Sequence, residues 1–146
     1  MQTPIAVLIN ILLCAARTWL YQPTIPPLAP LIDTPAFEQC TNGADGVIKA
    51  LSNAVTLLDP ADDCALANPF LGPPLWTAAK ILATKYLHES AKGLATDARK
   101  SAEQLEILLS VFDRMAEVWP ELAGKFRALV SADMKRDPSE VARFEY

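Results

Sequence analysis

Apolar residues recur along this chain at spacings of three and four, and prolines cut the pattern into separate runs. The first run, Ile5 to Tyr21, is apolar around most of its circumference; it opens on Thr3-Pro4 and stops before Pro23. A threonine oxygen can accept from an unpaired helix-start amide, and a proline behind it has no amide hydrogen to satisfy, so the pair predicts a helix start. A helix apolar on nearly all sides is expected either to form the axis of the core or to pack against further chain. Thr34-Pro35 repeats the start signal. Behind it Phe37, Cys40, Ala44, Val47, Leu51, Ala54 and Leu58 form an amphipathic stripe of about six turns. Gly43 and Gly46 fall on or beside that stripe. Each costs roughly 1 kcal/mol against alanine inside a helix, which points to a neighbouring helix packed closely over them.

The chain is organised around a third helix, predicted from an N-cap at Asn68 and Pro69 to Lys92-Gly93, with Leu71, Leu75, Ala78, Leu82 and Tyr86 at helical spacing. Pro73 and Pro74 require either a kink at Gly72 or a fresh start at Pro74. The small Ala78–Ala79 pair lets another helix approach. A fourth helix, capped by Asp97, carries Leu105, Leu108, Leu109, Phe112, Met115 and Trp119 on one face and Glu103, Glu106, Asp113 and Glu117 on the other. Trp119-Pro120 marks a junction, and Leu122, Phe126, Leu129 and Val130 stripe a fifth helix. No stretch alternates as a strand would. The expected fold is therefore all-α: a bundle of about five helices with Pro-rich connectors, one domain over residues 1–136, and a charged tail over 137–146. The connector with prolines at 23, 26, 27, 30 and 35 reads as extended polyproline, and Asp59, Asp62 and Asp63 as a solvated loop rather than a calcium site.

Composition sharpens this. A chain of 146 residues that is 51% hydrophobic, with 5 glycines, fits one Leu- and Ala-rich helical domain. Its net charge is −4, and its 13 basic and 17 acidic residues intermix, so no basic face is offered to phosphates and direct nucleic-acid contact is not expected. Only Arg17 and Lys49 are basic before Lys80. The mean hydropathy of +0.18 suggests that some apolar surface is covered by a partner, a ligand or further chain. Ile5 to Ala16 is too short to span a bilayer, and no basic region precedes it as in a secretory signal. No membrane role is expected.

Little catalytic chemistry is visible. Cys14, Cys40 and Cys64 are evenly spread without metal-site spacing, which favours reduced thiols and neither zinc nor a disulfide framework. His88 is the only histidine, and it is expected near a helix end, where it suits the carbonyl dipole. No serine sits in a nucleophile elbow and no glycine-rich phosphate loop is present. The chain is not expected to be an enzyme or to carry a cofactor. Trp19, Trp76 and Trp119 fall near helix ends; packing is their first reading, and lining of an apolar ligand pocket the second.

One constellation points to a family. Pro69 and Phe70, then Pro74, Trp76, the paired Ala78 and Ala79, and Lys80 open a long helix in a way that resembles the C-terminal part of the fungal-specific transcription factor domain, the all-helical middle homology region of fungal Zn₂Cys₆ regulators. Three other segments resemble it in the family's order. These are Leu20, Tyr21, Gln22 and Pro23, with Gln22 where the family has arginine; Cys40, Ala44, Val47, Ile48 and Leu51; and Leu105, Leu108, Leu109, Phe112, Trp119 and Ala123. The resemblance implies a regulatory region, part of a larger domain, that modulates transcriptional activation through protein or small-molecule contacts. The signature positions, Trp119 included, are expected to be structural. The implied setting is the nucleus, with the cytoplasm as alternative. Zinc and DNA contact would belong to a separate N-terminal cysteine cluster, and the partners would be the rest of a larger transcription factor or another protein. The alternatives are a stand-alone helical interaction module, including a dimer, and a binder of apolar ligands.

Overall fold

The computed structural model describes residues 4–21, 35–57 and 69–135. Among these there are five helices and no strand: α1 (Pro4–Tyr21), α2 (Pro35–Leu57), α3 (Gly72–Ala91), α4 (Ala95–Ala116) and α5 (Pro120–Asp133), with a 3₁₀ turn at Pro69–Leu71 before α3. The all-α bundle read from the sequence is the observed architecture. The polyproline connector, the acidic Asp59–Asp63 loop, the Asn68 cap and the charged tail lie outside the described residues.

Prolines mark four of the five helix starts because the first turn leaves amide hydrogens unpaired in any case. Pro4, Pro35 and Pro120 are first residues, and Pro73 and Pro74 both fit inside the first turn of α3, which follows the 3₁₀ turn directly from Gly72. The 3₁₀ turn gives way to α-helix at Gly72, and there is no fresh start at Pro74. The start of α4 differs from expectation. Asp97 is not its cap; Leu94 is, and Asp97 lies in the first turn, where its charge faces the positive helix end. The start comes early because the preceding turn is a tight helix stop. Gly93 takes φ +72, its amide donates to Ser90 O (3.2 Å), and the amide of Leu94 donates to Glu89 O (2.9 Å). Trp119 likewise leaves the apolar face of α4 and becomes the capping residue of α5, outside the helical region, which a residue before proline avoids.

Helices α1 and α2 form an antiparallel pair in the most extensive contact of the bundle. Thr18 meets Cys40, where its hydroxyl donates to Cys40 O (3.2 Å), and Cys14, one turn earlier on α1, meets Gly46, two turns later on α2. The two glycines make this approach feasible. A Cβ on Gly43 would lie 2.5 Å from Thr18 Oγ1 and 2.7 Å from Cys14 O, and one on Gly46 would lie 2.6 Å from Cys14 Sγ.

The axis of the core is α3, not α1. It touches all four other helices and buries every residue from Thr77 to Thr84. Ala78 and Ala79 are within that run, so small side chains let neighbours close in. Helix α4 returns antiparallel along α3, and α5 folds back on α4 so that Phe126 stacks on Phe112 (5.7 Å between centroids) and tilts against Trp76 (6.4 Å). Phe126 also fills the space above Gly72, where no Cβ would fit. Helix α1 sits at the edge, with Val7, Ile11 and Ala15 turned inward.

Replacing Gly43 by alanine should therefore destabilise the fold by about 1–3 kcal/mol despite the better helix former, because the added methyl meets backbone. Gly124, on α5, gives the opposite sign, because a Cβ added there would meet nothing within 4 Å. Gly124→Ala should stabilise by about 0.5–1 kcal/mol. Urea titration of the two variants reads the difference.

Candidate interaction surface

Among the described residues, the buried polar side chains are Thr18, Thr77, Lys80, Thr84, Glu89 and Ser101, and several of them tie helices together. Glu89 accepts from the Ser101 hydroxyl (2.9 Å), joining α3 to α4, and pairs with Lys85 one turn back (3.8 Å). Gln104 donates to Asp45 Oδ1 (3.1 Å), joining α4 to α2. Trp19 Nε1 donates to Thr77 Oγ1 (2.9 Å), joining α1 to α3. Each of these links between helices is non-local, so no local pattern in the sequence announces it. A small cavity of about 180 Å³ between α2 and α3 is lined by Phe37, Glu38, Thr41, Asn42, Lys85 and Glu89. Among the described residues, no group of three or more His, Cys, Asp or Glu side chains is placed to hold a metal ion. His88 lies in the last turn of α3.

The signature positions serve α3. Pro69 opens the 3₁₀ turn, Pro74, Ala78 and Ala79 are buried, and Lys80, also buried, holds its Nζ 4.4 Å above the Trp76 ring. Phe70 is the exception, 76% exposed. The three tryptophans are placed differently from one another. Trp19 is fixed to Thr77, Trp76 packs between Lys80 and Phe126, and Trp119 is 47% exposed at the α4–α5 corner. An open groove of about 510 Å³ at that corner is lined by Val118, Trp119, Pro120, Glu121, Leu122 and Lys125. Neither Trp19 nor Trp76 is in its wall, so this groove is not a pocket shared by the three indoles.

The most unusual surface belongs to α1. Opposite its buried face it presents Ile5, Ile9, Leu13 and Leu20, exposed by 70, 49, 64 and 69%, with the exposed Ala16 completing the row. The spacing 5, 9, 13, 16, 20 keeps all five within one narrow stripe at 100° per residue. The only charged side chain of α1 is Arg17, and Gln39 of α2 holds it to one side, accepting from its Nε (2.9 Å) and Nη2 (2.6 Å). Isolated exposed leucines are ordinary, but four large apolar side chains in one uncharged row form the kind of patch that marks an interaction site. The sequence showed that α1 is apolar all round; it did not show which side faces out. No helix among the described residues is long and apolar enough to cross a membrane.

Compared with known proteins, the chain matches no family model, no curated protein and no solved structure.

Burial pushes the Cys40 thiol up to about 11, and its Sγ faces Thr18 O (3.7 Å) rather than any cation. It is a packing group, protonated at neutral pH. Because the unfolded chain releases this proton first, stability is undiminished below about pH 9 and is lost as pH rises toward 11, by about 2–3 kcal/mol from this group. Urea midpoints measured across that window should fall more steeply for the natural chain than for Cys40→Ala. Trp76→Ala should cost about 3 kcal/mol in the same titration, since it removes the ring between Lys80 and Phe126.

Proposed function

We propose that this chain is a non-catalytic helical interaction domain, and that its setting is the effector region of a fungal transcription factor. There it would modulate activation through contacts with the rest of the regulator or with another protein, in the nucleus, while zinc and DNA contact belong to a separate cysteine cluster. The observation that carries the interaction reading is the uncharged outer row of α1, which a domain acting alone in water has no physical reason to keep. The absence of a basic face in the composition supports a role without phosphate contacts. The transcription-factor setting rests on the sequence resemblance alone. That resemblance is carried by individual residues in family order, ten of which have core positions in α2, α3 and α4.

A tethering assay tests the proposal. The chain is fused between a heterologous DNA-binding domain and an activation domain, and reporter output in fungal cells is compared with the same fusion lacking it. The chain should change output several-fold, and Leu13→Glu with Leu20→Glu should abolish that change at equal protein abundance. Output indifferent to the chain would reject the regulatory reading.

A further inference from the structure

Resting on the reading of α1 as the docking element, we propose that its outer row is closed by a second copy of this chain, the two α1 helices pairing antiparallel about a twofold axis near Leu13. The row is complementary to itself. Residues whose numbers add to 25 come level when two such helices pack antiparallel, so Ile5 meets Leu20 of the second copy and Ile9 meets Ala16, bulky against small, while Leu13 packs beside its own symmetry mate. The alternation of four- and three-residue steps from Ile9 to Leu20 is the seam along which one helix beds into another.

Charge favours the same arrangement. No side chain of the row is charged, so a twofold contact brings no like charges together within it. In the antiparallel register the two Arg17 side chains stand about 13 Å apart along the axis at 1.5 Å per residue, whereas parallel helices would place them level. Area sets the strength of the contact. Ile5, Ile9, Leu13 and Leu20 are exposed by 70, 49, 64 and 69%, so covering them completely on both copies would bury at most about 1,000 Å², the size of a weak, transient interface. The expected dimer is a reversible one with a dissociation constant in the micromolar range.

Sedimentation equilibrium of the full chain, from low micromolar to several hundred micromolar, is the test. The mass should rise from 15.9 kDa toward twice that value, and Leu13→Glu and Ala16→Glu should each hold it at the monomer with unchanged helical circular dichroism. Register is read by oxidation. A mixture of Ile9→Cys and Ala16→Cys chains should cross-link above the background of the unmodified chain, whereas each variant alone should not. A monomer at every concentration, a dimer indifferent to both glutamates, or cross-linking of Ile9→Cys with itself would each overturn the proposal. Failure here is separable from failure of the functional reading. A monomeric chain whose reporter effect still depends on Leu13 and Leu20 has a different protein on α1, and one without any reporter effect has lost both readings.

Discussion

Eight consecutive residues of α3, Thr77 to Thr84, are buried, and a helix hides eight in a row only if neighbours surround its whole circumference. The arrangement of the other elements answers that demand. Helices α4 and α5 cover one side, with Phe112 and Phe126 stacked beside Trp76. The α1–α2 pair covers the rest, and Trp19 is fastened directly to Thr77. Because small residues occupy much of the run, as at Ala78, Ala79 and Ala83, the neighbours approach the backbone closely and dispersion contacts accumulate at near-crystalline density. Two threonines, Thr77 and Thr84, keep their hydroxyls bonded, the second to Lys80 O one turn back (2.9 Å).

Once α3 takes the axis, α1 must be peripheral, and the puzzle of a helix apolar on every side changes character. Its inward face is set by α2, where Gly43 and Gly46 remove the side chains that would hold the two helices apart. The outward row is what remains. A surface of that kind gains by being covered, at roughly 25 cal/mol for each Å² withdrawn from water. That driving force belongs to the physics of the exposed row rather than to any particular partner, which is why it supports an interaction role more directly than it supports a pathway.

Much of this was legible along the chain. Proline grammar placed the starts of α1, α2 and α5, because a first-turn proline satisfies a local rule that tertiary contacts seldom override. The stripe from Phe37 to Leu51 is buried as its spacing required. Where local signals misled, a non-local or backbone term decided. Asp97 has the side chain of a cap, yet the turn at Gly93 set the start of α4 by backbone bonds alone. Trp119 fits the α4 stripe by count and is exposed because Pro120 starts a new helix there. The ties of Glu89 to Ser101 and Gln104 to Asp45 join separate helices, and periodicity carries no information about such partners. For the candidate surface, hydropathy flagged α1 as a whole; only the packing of α2 against it separated the inward face from the outward one.

The order in which these helices meet has a consequence for how the chain is made. The most extensive contacts join neighbours in sequence, α1 with α2 and α3 with α4, so the topology is local and suited to fast folding. During synthesis, which proceeds from the N-terminus, the α1–α2 hairpin can form before α3 leaves the ribosome. The axis helix cannot be enclosed until α5 has followed it. For that interval the nascent chain displays two greasy surfaces together, the outer row of α1 and the uncovered flank of α3. That interval, before α5 emerges, is when the chain has most apolar surface open to water and is most prone to non-native association.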